Sequence, residues 1–180
     1  YPQLYQLGQK GVFFKITSFW SWIINGFYHS LLAYVVSELL FYDDIKRDDG
    51  KAVGHWVWGT CLYTAVLVTV LGKASLVVNT WTKYHVLAIP GSLLIWFIFL
   101  PAYGYAAPAI GFSEEYTGLI PVIFPLPQFY LMAIILPAIC LVRDFAWKYA
   151  KRMYLPQPYH HVQEIQKYNI QDYRPRMEQF

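Results

Sequence analysis

The chain has 180 residues, of which 57% are hydrophobic and only 14% are charged. A soluble domain carries about 25% charged residues, so this composition indicates a protein that is solvated largely by lipid. The net charge of +3 is too small to suggest a nucleic-acid-binding protein, and no nucleic acid is expected as a partner. We therefore expect an all-α polytopic membrane protein with four transmembrane helices and one short cytosolic interfacial helix.

Residues 1–18 predict a cytosolic entry segment, and the first span follows from Phe19 to Tyr42. Within this span Asn25 and His29 are four residues apart and share a helix face. Polar residues inside a span are candidates for function, although we favour interhelical hydrogen bonding for this pair. Gly26 and Ser30 form a small-xxx-small pair, which predicts close approach of another helix.

The second span is predicted from His55 to Val78, with an aromatic belt at its start. Its one charge, Lys73, is expected near the opposite boundary, where the long side chain can extend towards water. The third span is predicted from about His85 to Tyr105. Pro90 is expected to bend or unwind its start, and Pro101 to break or kink its far end.

The fourth span begins between Pro121 and Gln128 and is expected to continue to Tyr154. It is apolar at first and then becomes basic and aromatic, which is typical of a helix leaving the membrane on the cytosolic side. Residues 19–154 thus form a four-span membrane support domain. Residues 155–180 are expected to form a cytosolic tail. Within it, the three-residue spacing of apolar residues over Tyr159–Ile170 predicts the short interfacial helix.

The positive charges predict the orientation of the spans. Eleven Lys and Arg residues fall on the side that holds both termini, and three fall on the other side. Positively charged loops remain in the cytosol, so both termini are expected to be cytosolic. The segments Asp43–Gly54 and Ala106–Pro121, which carry most of the acids between spans, are then exoplasmic.

The motifs of common catalytic sites are missing from the sequence. It contains no Walker A loop, HExxH, CxxC or GxSxG motif, so no catalytic residue, metal ligand or cofactor is expected within this segment. Glu38 and Asp144 are expected near span boundaries, so no span is predicted to bury an acid. Cys61 and Cys140 lie in apolar runs and are interpreted as small core or lipid-facing residues.

Several strings of the sequence are more specific. They are YPQLYQLGQKG, FWSWIINGFYHS, GKASLVVNTWTK, HVLAIPGSLLIW, LVRDFAWKYAKRMY and the YHHVQEIQKYNI run. Together they resemble the carboxyl-terminal membrane part of the type-IV P-type ATPases, the phospholipid flippases, over essentially the whole chain. The ending RPRMEQF resembles the fungal Golgi branch of that family. The resemblance makes the four spans the seventh to tenth of a larger pump, which agrees with a start that lacks an initiator Met.

The resemblance implies a function for the whole pump. It implies ATP- and magnesium-driven movement of phosphatidylserine and phosphatidylethanolamine from the exoplasmic or lumenal leaflet to the cytosolic one. It also implies a small glycosylated two-span accessory subunit, contacts with the remaining domains of the pump, and a location in the trans-Golgi network, endosomes or plasma membrane. The acidic segment Asp43–Gly54 is a candidate docking surface for the accessory subunit, or simply a solvated loop.

A cytosolic cluster is the candidate lipid-binding site. Basic pockets between spans suit phosphoinositide headgroups, and the resemblance places a regulatory phosphatidylinositol-4-phosphate at the matching Tyr-His pair and Arg. The candidate residues are Lys10, Lys73, Trp147, Arg152, Tyr159 and His160. The alternative is that these bases only set topology and anchor helix ends.

Two other functions stay open from the residues alone. One is a free-standing four-span scaffold or lipid-sensing protein without transport activity. The other is half of a secondary transporter, against which the lack of an internal repeat and of membrane-centre charges argues. An upstream DKTGT motif in the full reading frame would separate these from a flippase.

Overall fold

The computed structural model describes residues 16–42, 54–79 and 81–155. Within these ranges the chain is helical and contains no strand. The helices are α1 (Ile16–Phe41), α2 (His55–Val77), α3 (Lys83–Ala109), a 3-10 turn (Glu114–Tyr116), α4 (Ile120–Ile123) and α5 (Pro127–Tyr154). The four long helices, α1, α2, α3 and α5, are each long and apolar enough to cross a membrane. The predicted all-α fold with four membrane-length helices is confirmed, and the predicted helix Tyr159–Ile170 lies outside the described residues.

The described residues divide into two compact units. The larger unit is Tyr28–Asp144, and it contains α2, α3, α4 and large parts of α1 and α5. The second unit contains the described residues before Tyr28 and after Asp144. In that unit α5 ends with Lys151 and Arg152 in its last turn. Cations there interact favourably with the partial negative charge at the helix C-terminus.

The predicted span boundaries differ from the helices mainly in α3. This helix begins at Lys83 and continues to Ala109, so Pro101 does not break it and the prediction of an end near Tyr105 is wrong. Proline removes one hydrogen-bond donor but leaves the rest of the helical backbone paired, which a helix in lipid tolerates. The other three helices begin or end within about three residues of the prediction, the usual uncertainty of helix ends.

A short irregular connection joins α3 to α5, where the sequence predicts a loop. It contains the 3-10 turn and α4, and two glycines adopt the left-handed backbone conformation, Gly111 at φ 69° and Gly118 at φ 73°. Only glycine adopts this conformation at little cost, which explains both positions. At the turn the hydroxyls of Tyr103 and Ser113 lie 3.1 Å apart, which connects the end of α3 to the start of the connection.

The hydrophobic core of the larger unit is formed by buried stripes on α2 and α5. On α5 the stripe is Phe129, Met132, Leu136 and Cys140, each at most 1% exposed. On α2 it is Val57, Cys61 and Ala65. Residues three or four positions apart share one face of a helix, so each stripe faces the same direction along its length. The interpretation of Cys61 and Cys140 as core residues is confirmed.

Threonines follow the buried side of α2 and bond to their own helix. The hydroxyls of Thr60, Thr64 and Thr69 donate to the backbone carbonyls four residues earlier, at 2.7 to 2.8 Å. These bonds satisfy hydroxyls that would otherwise be unpaired in an apolar environment. The indole Nε1–H of Trp96 in α3 donates to the Thr64 hydroxyl at 3.2 Å, which ties α2 to α3.

Two glycines allow elements of the larger unit to approach closely. A Cβ atom at Gly72 in α2 would collide with the side chain of Leu141 in α5. A Cβ atom at Gly104 in α3 would lie 2.5 Å from Cγ1 of Ile120 in α4. By contrast, among the described residues nothing lies within 4 Å of a Cβ built at Gly26, so the close approach predicted there is not seen.

Candidate functional site

Three helices of the larger unit each bring one ionisable side chain to the same place. They are His29 in α1, Lys73 in α2 and Asp144 in α5. The local cause is the i,i+4 spacing of the buried stripes. Lys73 continues the α2 series at 61, 65 and 69, and Asp144 continues the α5 series at 132, 136 and 140. Each core-facing stripe therefore ends in a charge, and the two charges have opposite sign.

The carboxylate of Asp144 is the centre of the group. The ammonium of Lys73 donates a hydrogen bond to its Oδ2 atom. The same Oδ2 atom lies 3.2 Å from Nε2 of His29. The Asp144 side chain is 12% exposed, Lys73 is 21% exposed and His29 is 19% exposed. Charges this sheltered interact more strongly than a surface pair, because little water screens them.

The imidazole of His29 contacts the carboxylate without a well-aligned hydrogen bond. Its Nε2 atom is buried and makes no hydrogen bond within the described residues. The 3.2 Å separation from Asp144 is nevertheless an ion-pair distance when the imidazole carries a proton. His29 therefore makes an interhelical polar contact, whereas the interhelical hydrogen bonding expected for Asn25 and His29 stays a prediction.

A second contact lies one residue away on both helices. The guanidinium of Arg143 lies 4.3 Å from the ring centroid of Tyr28, a cation–π geometry. The consecutive residues Tyr28 and His29 on α1 therefore meet the consecutive residues Arg143 and Asp144 on α5. We call Tyr28, His29, Lys73, Arg143 and Asp144 the charge cluster.

The charge cluster contains permanent charges of both signs. Lys73 and Arg143 each carry one positive charge, Asp144 carries one negative charge, and His29 adds charge only when protonated. The planar guanidinium of Arg143 and the ammonium of Lys73 are groups that suit carboxylate and phosphate oxygens.

Of the six predicted lipid-binding residues, the structure describes three. Lys73 belongs to the charge cluster in the larger unit. Trp147 and Arg152 are exposed residues near the end of α5 and belong to the other unit. Lys10, Tyr159 and His160 lie outside the described residues. Convergence of the six residues therefore stays a prediction.

The structure adds a contact to the expectations about Asp144 and Lys73. The Asp144 side chain, which lies within α5, is 12% exposed and has two partners, and one of them is the Lys73 ammonium. The positions of both residues near span boundaries stay predictions. A carboxylate and an ammonium leave water together at far lower cost than either does alone.

The sequence contains a signal that would have identified this pair. The i,i+4 series on α2 and α5 both end in a charge, and the charges are opposite. Hydropathy describes each span separately, whereas the position of each charge at the end of such a series favours pairing between the two.

The described residues do not contain a metal centre. Within residues 16–42, 54–79 and 81–155, no group of three or more His, Cys, Asp or Glu side chains gathers as a metal site requires. The charge cluster has one carboxylate and one imidazole, opposed by two cations, and this donor set does not suit Mg²⁺, which binds oxygen ligands in near-octahedral geometry.

Comparison with known proteins identifies the family. The model of the phospholipid-translocating P-type ATPase C-terminal region matches residues 1–157. The chain is 59% identical over 177 residues to phospholipid-transporting ATPase C887.12 of Schizosaccharomyces pombe, covering 98% of the chain and 14% of the relative.

Two further relatives give the same result. The chain is 50% identical over 181 residues to phospholipid-transporting ATPase DRS2 of Saccharomyces cerevisiae, covering 100% of the chain and 13% of the relative. It is 27% identical to probable phospholipid-transporting ATPase 4 of Arabidopsis thaliana, covering 97% of the chain and 14% of the relative. The chain thus spans about one-seventh of the length of these relatives, and it belongs to the phospholipid-translocating P-type ATPases as part of their C-terminal membrane region.

Proposed function

We propose that this chain is the membrane-supporting C-terminal part of an ATP-driven flippase. The whole pump moves phosphatidylserine and phosphatidylethanolamine from the exoplasmic or lumenal leaflet to the cytosolic leaflet. The observation that carries the proposal is the family match over residues 1–157 in a chain with four membrane-length helices. The family favours this function over a free-standing scaffold or half of a secondary transporter.

The role of this part is support and regulation, and the reaction belongs to the rest of the pump. The family implies that ATP and Mg²⁺ serve the whole pump, and we propose that they bind in its other domains. The support role follows from the core between α2 and α5, which gives the rest of the pump a packed unit against which to move.

A regulatory phosphoinositide site is the second part of the proposal. Its residues are Lys10, Lys73, Trp147, Arg152, Tyr159 and His160, and its ligand is phosphatidylinositol-4-phosphate. Two arguments support it: the resemblance of the sequence around the Tyr-His pair, and the presence of the cations Lys73 and Arg143 in the charge cluster. A cationic site between spans on the cytosolic side attracts an anionic headgroup.

The remaining partners and the location follow from the same resemblance. We propose that a small glycosylated two-span subunit contacts the acidic segment Asp43–Gly54 and the connection Ala106–Pro121. We also propose that the pump resides in the trans-Golgi network, endosomes or plasma membrane, with both termini in the cytosol. The excess of Lys and Arg on the side of the termini supports this orientation.

An ATPase assay on the purified full-length protein tests the function. We expect activity that depends on phosphatidylserine or phosphatidylethanolamine and that rises further when phosphatidylinositol-4-phosphate is added. Phosphatidylcholine serves as the matched lipid control. Activity that is indifferent to all of these lipids would contradict the proposal.

Two variants test the regulatory site. The double variant Tyr159→Phe/His160→Ala removes a hydroxyl and an imidazole from the proposed site. We expect weaker stimulation by phosphatidylinositol-4-phosphate with the phosphatidylserine-dependent activity retained. Tyr42→Phe removes the same hydroxyl from an exposed residue at the end of α1 and is the matched control. If the double variant is stimulated as strongly as the wild type, Tyr159 and His160 do not belong to the site.

Cysteine labelling tests the orientation. Single cysteines at positions 47 and 160, introduced into a cysteine-free background, are exposed to a membrane-impermeant reagent in sealed vesicles. We expect the two positions to label from opposite sides. Labelling from one side would overturn the topology and, with it, the cytosolic phosphoinositide site.

A further inference from the structure

We draw no further inference here: the strongest candidate, the row of contacting aromatic rings that runs from Tyr63 of α2 along α3 and the 3-10 turn back to Trp56 of α2 and leaves both of these side chains half-exposed, carries nothing because nothing in the described part of the chain shows what covers it.

Discussion

The helices α3 and α5 are alike in length and hydropathy and yet are packed very differently. Both helices are long and apolar enough to cross a membrane. On α5 a continuous stripe is buried from Phe129 to Cys140, and the same face ends in Asp144. On α3 only Leu100, Gly104 and Ala107 are buried, all of them in the second half of the helix.

The difference shows that hydropathy places a helix in lipid but does not select its neighbours. In a membrane the apolar side chains gain little by leaving lipid for protein, so packing depends on close contact and on polar pairs. α5 has both, through Leu141 against Gly72 and through Asp144 against Lys73. α3 contacts the short helix α4 closely at Gly104 and is tied to α2 through the hydrogen bond from Trp96 to Thr64.

The largest effect is expected at the first residue of the α5 stripe. Phe129 is 0% exposed and packs against the rings of Phe97 and Phe124. Phe129→Ala leaves a cavity and is expected to cost about 3 kcal/mol. The measurement is the midpoint of thermal unfolding of the full-length protein in detergent. A midpoint equal to that of the wild type would show that the stripe does not hold the unit together.

The next effect is expected at the charged end of the same face. Lys73→Leu leaves the Asp144 carboxylate without its ammonium partner. Because both side chains keep some exposure, we expect a cost of about 2 kcal/mol, below that of a fully buried pair. The double variant Lys73→Leu/Asp144→Leu should recover most of the loss in the same unfolding assay. A double variant as unstable as the single one would contradict the pairing.

A smaller effect is expected where α3 is packed. Gly104→Ala forces the side chain of Ile120 to move, whereas Gly91→Ala on the same helix points into open space among the described residues. Both changes give the same gain in helix propensity, so their difference isolates the contact. We expect Gly104→Ala to be less stable than Gly91→Ala by about 1.5 kcal/mol, and equal stabilities would show that α4 does not pack closely there.

The smallest effect is expected on the open face of α3. Ile98 is 60% exposed, and Ile98→Ala is expected to cost no more than about 0.5 kcal/mol. Met132→Ala in the α5 stripe is the matched control, since Met132 is 0% exposed. A loss at Ile98 as large as at Met132 would show that another part of the whole protein covers this face.

Much of the fold could be predicted from the sequence, because lipid imposes a simple rule. A spanning segment must pair its own backbone and must be about 20 apolar residues long, and four such segments are visible in the sequence. The start of α2 at His55 and the end of α5 at Tyr154 agree with the prediction. The end of α3 does not, because Pro101 interrupts a helix less in lipid than it does in water.

The contacts between helices were harder to predict. Gly26 has the spacing of a helix contact but no close neighbour among the described residues, whereas Gly72 and Gly104 lack that spacing and have one. Space beside a glycine depends on the tertiary arrangement, which local sequence does not determine. The charge of Lys73 makes it a candidate site residue, but its pairing with Asp144 in another helix does not follow from either span alone.

The adjacency of the contacts Tyr28–Arg143 and His29–Asp144 has a mechanical consequence. Sliding α1 along α5 by a single residue would separate both contacts at once. The two contacts therefore fix the axial register of α1 against α5 within the larger unit, so a change in this register requires both contacts to break together.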